Sequence, residues 1–196
     1  MATEAFQFEK MLLLGSQSPR RRELLEKMQL PFRPVSLIFD EPPGIDNPLE
    51  MARRKALAYS AVLKEDEVLL TADTMVFTDG KKLGKPANQY EALDMLEGLS
   101  GRWHKVVTGV CLRTRDDLRC FEEQTRILFG ELSKEEMNFY VCRFMPLDKA
   151  GAYGIQEWIG LIGVERIEGS FYNVMGLPTK KLWREWLKIN DYPLSL

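Results

Sequence analysis

The chain has 196 residues, and its 27 Lys and Arg against 29 Asp and Glu leave a formal net charge of −2. A hydrophobic fraction of 45% with 29% charged residues is typical of a folded protein and excludes an intrinsically disordered chain. A chain of this length buries enough surface to fold without a disulfide or structural metal, so we expect a single domain over 1–196. The balanced charge argues against a dedicated nucleic-acid coat but leaves room for one small basic pocket.

The cysteines and the histidine restrict the chemistry. Cys111, Cys120 and Cys142 are odd in number and form no C-x-x-C pair, which predicts free thiols rather than a disulfide framework or a zinc site. His104 is the only histidine, so a multi-histidine metal site within one chain is excluded. We expect His104 to pack or hydrogen-bond within the fold, with catalysis by a histidine base as the alternative. Hydrolytic chemistry would then depend on carboxylates, Lys, Arg or a carboxylate-bound cation.

No apolar run approaches the roughly 20 residues that a membrane-spanning helix requires. No run exceeds four residues, and the first of that length, Met11–Leu14, follows the mixed segment Glu4–Lys10, unlike a signal peptide. We therefore expect a cytoplasmic protein with no membrane partner.

Hydrophobic periodicity and capping residues predict alternating strands and helices in the first half of the chain. In order, these are a strand over 11–14, helices over 18–28 and 48–63, a buried strand over 67–72, hairpin strands over 74–78 and 81–83, and a helix over 88–97. Asp79-Gly80 is a strong turn signal for the hairpin. The buried strand delivers Asp73 at its end, where α/β folds usually hold ligands.

The second half of the chain continues the mixture of strands and helices. We predict an antiparallel pair of strands over 105–113 and 119–128, a helix over 133–144, a strand over 159–167, a loop or short strand over 169–175, and a helix over 178–189. Because helices alternate with both buried and hairpin strands, the expected architecture is α/β with a mixed sheet.

The first turn of the helix over 18–28 carries Arg20, Arg21 and Arg22. A helix N-terminus bears about half a positive charge, so three arginines there are repelled unless an anion offsets them. This placement favours an anion site. A solvated basic face is the alternative.

Other polar residues that follow predicted elements strengthen the case for a phosphorylated ligand. They are Ser16, Ser18, Lys55, Asp73, Thr74 and Lys85. The Walker A and dinucleotide-binding glycine patterns are absent. Arg and Lys neutralise phosphate oxygens, while Asp73 can hold a divalent cation or take a proton from water. The pattern therefore favours a polyphosphate site, although each residue also has an ordinary structural interpretation.

Seven collinear motifs cover nearly the whole chain. They are Leu13–Leu25 (LLGSQSPRRRELL), Ala72–Val76 (ADTMV), Gly84–Pro86 (GKP), Ser100-Gly101 followed by His104, Thr108–Val110 (TGV), Asp148–Gln156 (DKAGAYGIQ) and Tyr172–Pro178 (YNVMGLP). Together they resemble the Maf family of nucleoside triphosphate pyrophosphatases, whose opening signature is S-x-S-P-R-R. Gly15 departs from the family, where alanine is usual, and residues 1–9 would form a peripheral N-terminal extension.

The resemblance implies a Maf/ITPase-like α/β fold, with a mixed β-sheet flanked by helices and a nucleotide cleft between two lobes. It implies hydrolysis between the α and β phosphates of a nucleoside triphosphate, which releases monophosphate and diphosphate and uses Mg²⁺ or Mn²⁺. Asp73 matches the acidic catalytic residue and would act as general base towards water, directly or through the metal.

The remaining site residues are also implied by the resemblance. The positions matching phosphate-binding residues are Ser16, Arg21, Lys55 and Lys85. Glu41, or the adjacent Asp40, would share the metal with Asp73. Three positions, Arg20, Thr74 and Gln156, resemble the branch that prefers dTTP and UTP. The Gln156 amide offers a donor and an acceptor, which suits the N3–H and a carbonyl of thymine or uracil.

Two other functions remain open from the sequence. The family is also associated with inhibition of septum formation, so a nucleotide-binding regulator of cell division with little or no turnover is the main alternative. A nucleic-acid-binding module is disfavoured by the balanced charge and by the lack of a basic stripe interleaved with aromatics. A homodimer is an expectation from the resemblance alone.

Overall fold

A mixed seven-stranded β-sheet flanked by helices forms the fold of residues 6–193 in a computed structural model of the chain. The structure describes these residues. The strands are β1 (Met11–Leu14), β2 (Phe32–Pro34), β3 (Glu67–Thr78), β4 (Lys81–Leu83), β5 (Trp103–Arg113), β6 (Leu118–Phe129) and β7 (Val164–Glu168). The helices are α1 (Pro19–Lys27), α2 (Pro48–Ala58), α3 (Gln89–Leu99), α4 (Lys134–Phe144), α5 (Trp158–Gly163), α6 (Phe171–Met175) and α7 (Thr179–Ile189), with a 3₁₀ turn at Ala150–Ala152. The predicted α/β class is confirmed.

The sheet has the strand order β2-β1-β3-β5-β6-β7, with β4 paired to β3. β1 runs parallel to both β2 and β3, and the remaining pairs are antiparallel. Leu12 and Leu14 of β1 are fully buried in the main hydrophobic core, which also contains Trp186 of α7. The centre of the sheet therefore supplies a rigid base for the loops at its edges.

Side-chain caps explain where several helices begin. Asn47 and Asn88 each accept a hydrogen bond of 3.0 Å from the backbone N–H three residues later. Ser133 and Glu136 form a reciprocal capping box at the start of α4. Because a cap of this kind contributes about 1 kcal/mol and acts locally, these N-termini were predictable from sequence.

The prediction of a helix over 48–63 is too long, because α2 ends at Ala58. The guanidinium of Arg113 on β5 donates hydrogen bonds to the carbonyls of Ala56 and Tyr59, at 2.9 and 3.0 Å, and so satisfies the end of the helix. Leu63 instead packs in a small separate cluster against β1 and β3.

Two predicted segments near the C-terminus are wrong in part. The apolar run over 159–167 begins as α5 and becomes a strand only at Val164, where pairing with β6 starts. The segment over 169–175 contains α6, which Ser170 caps and which ends at Gly176 with a φ of 115°. Short apolar runs do not distinguish helix from strand, and for 159–167 the edge of β6 decided where the strand begins.

The prediction of free thiols is wrong for two of the three cysteines. Cys111 on β5 lies directly opposite Cys120 on β6, with 4.2 Å between the Cα atoms, and the two form a disulfide. Cys142 on α4 is free and exposed. Strand register brings the bonded pair together, and their spacing along the chain contains no sign of it.

The N-terminal segment contacts the last helix. The ring of Phe8 packs against Trp183 and Trp186, with ring centroids 5.7 and 5.6 Å apart, and the Tyr192 hydroxyl donates to the carbonyl of Gln7 at 2.6 Å. Residues 1–5 of the expected peripheral extension lie outside the described part of the chain.

Among residues 6–193, the structure contains no helix with the length and apolar character of a membrane span.

Candidate active site

A gap in strand pairing creates the main cleft. β1 pairs with β3 only as far as Leu70, and β4 pairs with the same edge of β3 only from Val76 onward. Between them, Ala72–Met75 line a cleft of about 810 Å³, a volume typical of small-molecule sites. The prediction that Asp73 ends a strand is therefore wrong: Asp73 lies inside β3, held on its other edge by pairing with Gly109.

The predicted site residues come from six separate parts of the chain. All nine line the cleft, namely Ser16, Arg20, Arg21, Glu41, Lys55, Asp73, Thr74, Lys85 and Gln156. Asp40, the alternative to Glu41, does not line the cleft.

Lys55 joins the two carboxylates proposed as metal ligands. Its Nζ lies 2.7 Å from Asp73 Oδ1 and 2.6 Å from Glu41 Oε1. The Lys55 and Asp73 side chains are only 13% and 15% exposed, so their attraction is screened less than that of a surface pair. The hydrogen bond from Lys55 lowers the pKa of the Glu41 carboxyl below its ordinary value. Both carboxylates therefore converge on one point of the cleft.

Close packing of α2 on the sheet places Lys55 at that point. Thr71 Oγ1 of β3 donates a hydrogen bond of 2.7 Å to the carbonyl of Ala52. At Gly109 of β5, an added Cβ would lie 2.4 Å from the backbone of Leu49, so α2 approaches as closely as only glycine permits. The glycine in the Thr108–Val110 motif is thus explained by the close approach of α2, which the sequence alone did not indicate.

Arg21 on α1 has only neutral hydrogen-bond partners. Its guanidinium donates to Ser16 Oγ at 3.0 Å, to Thr74 Oγ1 at 3.1 Å and to the carbonyl of Gly176 at 2.8 Å. Desolvation lowers the pKa of Arg21 to about 10, with Asp73 opposing the shift, so the group remains cationic at neutral pH. Within the described residues it forms no ion pair, which leaves its charge available to an anionic ligand.

The hydroxyl of Thr74 belongs to a directed chain of hydrogen bonds. Thr108 Oγ1 donates to the carbonyl of Asn173 at 2.9 Å, so its single proton is used. Thr74 must then donate to Thr108 Oγ1 over 2.9 Å while it accepts from Arg21. The Thr74 hydroxyl therefore orients the Arg21 guanidinium. Thr108 and Asn173 were missed as site residues, although their motifs were visible in the sequence.

Arg20, Gln156 and Lys85 surround the rest of the cleft. Arg20 Nη1 forms an ion pair of 2.9 Å with Asp148 Oδ2. The Oε1 atom of Gln156 is buried and has no hydrogen-bond partner among the described residues, which is costly unless a ligand supplies a donor. Lys85 is exposed and makes no ion pair within the part of the chain that the structure describes, although it lowers the pKa of Glu41 from a distance.

His104 does not line the cleft. It is 3% exposed, and its Nε2 lies 2.7 Å from the hydroxyl of Tyr153, whose ring lines the cleft. Burial lowers the pKa of His104 to about 4, so the imidazole is neutral at pH 7. The expectation that His104 packs and hydrogen-bonds within the fold is confirmed.

The carboxylates fit a cation that binds together with a phosphorylated ligand. Over residues 6–193, no group of three or more His, Cys, Asp or Glu is arranged to hold a metal ion. Glu41 and Asp73 nevertheless converge in the cleft, and Mg²⁺ is commonly held by one or two carboxylates with substrate phosphates completing its ligands.

An α/β protein whose cleft gathers basic side chains around two carboxylates is suited to bind a phosphorylated ligand. Residues 11–188 match the family model for Maf-like proteins, and the chain belongs to this family. It is 50% identical over 180 residues to a protein of Parabacteroides distasonis named dTTP/UTP pyrophosphatase, with 89% of this chain and 93% of the relative covered. Proteins of the same name from Porphyromonas gingivalis (49% over 182 residues, covering 89% and 92%) and Bacteroides fragilis (46% over 180 residues, covering 89% and 93%) are also similar.

Proposed function

We propose that this protein is a nucleoside triphosphate pyrophosphatase that hydrolyses dTTP and UTP, acting on the cytoplasmic nucleotide pool. The observation that carries the proposal is the convergence of Asp73, Lys55 and Arg21 in one cleft of the size of a nucleotide site. The names of the similar proteins support the same reaction. The products would be a nucleoside monophosphate and inorganic diphosphate.

The triphosphate would bind along the basic side of the cleft. Among residues 6–193, Arg21 has only neutral hydrogen-bond partners and Lys85 makes no ion pair, so both cationic groups are available to a ligand. Anionic oxygens would compensate both charges, and charge-assisted hydrogen bonds of this kind are about twice as strong as neutral ones. Ser16 would act by holding Arg21 in place, since its Oγ accepts from that guanidinium.

Asp73 would take the proton from the attacking water. Lys55 holds Asp73 Oδ1, whereas Asp73 Oδ2 makes no hydrogen bond to the described residues and is free to accept a proton. A positioned general base typically contributes about 10²- to 10⁴-fold to the rate. A divalent cation held by Glu41 and Asp73 would neutralise phosphate oxygens and lower the pKa of a bound water.

Arg20, Thr74 and Gln156 would favour thymine and uracil. The unpartnered Oε1 of Gln156 can accept the N3–H of either base, and its Nε2 can donate to a neighbouring carbonyl. Cytosine has no proton on N3, so with the amide in this orientation it would leave the buried oxygen unsatisfied. Arg20 would contribute through its ion pair with Asp148, and Thr74 through the hydrogen bond that it accepts from Arg21.

A panel of nucleotides with diphosphate detection tests the proposal. We expect diphosphate from dTTP and UTP in Mg²⁺ or Mn²⁺, and a loss of at least about 10²-fold in kcat for Asp73→Asn. The matched control is Asp79→Asn, an exposed carboxylate in the β3–β4 turn, which should retain activity. Binding of nucleotide without turnover in either metal would instead favour the regulator of cell division.

A further inference from the structure

A buried hydroxyl on α4 holds the segment that carries Gln156. Tyr140 is fully buried, and its Oη donates a short hydrogen bond to Glu157 Oε2. The same oxygen accepts the backbone N–H of Gly154 at 3.0 Å. One side chain outside the cleft therefore hydrogen-bonds to the residues on both sides of the Gln156 segment, Gly154 and Glu157.

The other carboxylate oxygen of Glu157 extends this connection towards the cleft. Lys149 Nζ lies 3.2 Å from Glu157 Oε1 and 2.7 Å from Asp148 Oδ1, and its side chain is only 9% exposed. Asp148 in turn binds Arg20 at 2.9 Å. Because two carboxylates already neutralise Lys149, it is less suited to bind phosphate than to hold these groups together.

Because Gly154 has no side chain, the side chains of Gln156 and Glu157 can lie close to its backbone. A Cβ at Gly154 would lie 2.8 Å from Glu157 Cδ and 3.0 Å from Gln156 Nε2. The Gln156 amide and the Glu157 carboxylate therefore fold back over the same glycine. Because the two groups share this small space, the position of one limits the room left for the other.

We propose that Tyr140, Glu157 and Lys149 are positioning residues for base selection: they hold the Gln156 amide and Arg20 in a fixed relative arrangement. Tyr140 and Glu157 do not line the cleft, so they act through their neighbours rather than on the substrate. Buried polar groups are costly unless paired, which makes this network favour one arrangement of the segment over others. The proposal rests on the proposed hydrolysis of dTTP and UTP.

The test compares selectivity in two variants. Tyr140→Phe removes the hydroxyl while the buried ring remains, and Glu157→Gln keeps an acceptor for Tyr140 but removes the charge that pairs with Lys149. We expect the ratio of kcat/KM for dTTP to that for dCTP to fall about tenfold in Tyr140→Phe, the effect of about one net hydrogen bond. The fall should come mainly from a higher KM for dTTP, because Asp73 and Lys55 are untouched.

Tyr192→Phe is the matched control. Tyr192 also donates one hydrogen bond and accepts one from the backbone, at Gln7, and it does not line the cleft. Its loss should leave the selectivity ratio unchanged. A ratio that is unchanged in folded Tyr140→Phe, or that falls equally in Tyr192→Phe, overturns the proposal. If Tyr140→Phe does not fold, an unchanged ratio in Glu157→Gln overturns it.

Binding of the products separates this proposal from the proposed function. Calorimetry with dTMP and dCMP measures base selection without turnover. If the wild-type protein hydrolyses no dTTP or UTP, the proposed function fails, yet a preference for dTMP that is lost in Tyr140→Phe still supports the positioning role. Hydrolysis of dTTP with equal selectivity in wild-type protein and Tyr140→Phe refutes the positioning role alone.

Discussion

Acidification should destabilise this protein through a single buried imidazole. His104 is the only histidine, and burial lowers its pKa from the ordinary 6.5 to about 4. Between these values the unfolded chain binds a proton that the folded chain does not, so the free energy of unfolding decreases as the pH falls. The contribution is fully present above pH 6.5 and is lost progressively towards pH 4.

The size of the effect follows from the two pKa values. At about 1.4 kcal/mol for each unit, a shift from 6.5 to about 4 amounts to about 3 kcal/mol, of which about 2 kcal/mol is lost by pH 5. The pKa values of the Glu41 and Asp148 carboxyls are lowered below their ordinary values. Their contributions to the free energy of unfolding are therefore lost at a lower pH than the pH at which His104 begins to titrate in the unfolded chain.

Urea denaturation at pH 7, 6 and 5 measures the effect. We expect the free energy of unfolding to fall by about 2 kcal/mol in the wild-type protein and to stay nearly level in His104→Gln, whatever the variant's stability at pH 7. An equal slope in the variant would show that other groups carry the pH dependence. A level wild-type profile would refute the argument from burial.

Two further substitutions test how the cleft is built. Gly109→Ala would push a methyl group into the backbone of Leu49, so urea denaturation should show a loss of at least about 2 kcal/mol, whereas Gly98→Ala, in open space on α3, should be neutral or stabilising by up to about 1 kcal/mol. Equal effects would contradict the tight approach of α2. Thr108→Val removes the hydroxyl that holds Thr74, so steady-state kinetics should show a KM for dTTP raised about tenfold; an unchanged KM would refute this link.

Local chemistry determined much of the secondary structure. The caps at Asn88 and Ser133 satisfy backbone groups within one turn, so α3 and α4 were predictable from neighbouring residues alone. The apolar run that begins at Ile159 was assigned wrongly because its conformation depends on where β6 offers a free edge. A short sequence window contains no information about that edge.

The sequence by itself, through its resemblance to the Maf family, predicted nine residues that line the cleft, but it did not identify Thr108 and Asn173. Only the tertiary structure decided how those residues meet. Asp73 faces a cleft because β1 ends at Leu14 before β4 begins to pair, and Lys55 reaches it because Gly109 admits α2 against the sheet. The disulfide at Cys111 likewise depends on strand register. Each of these outcomes comes from contacts between distant segments, and their free energies are set by packing and pairing that spacing along the chain does not encode.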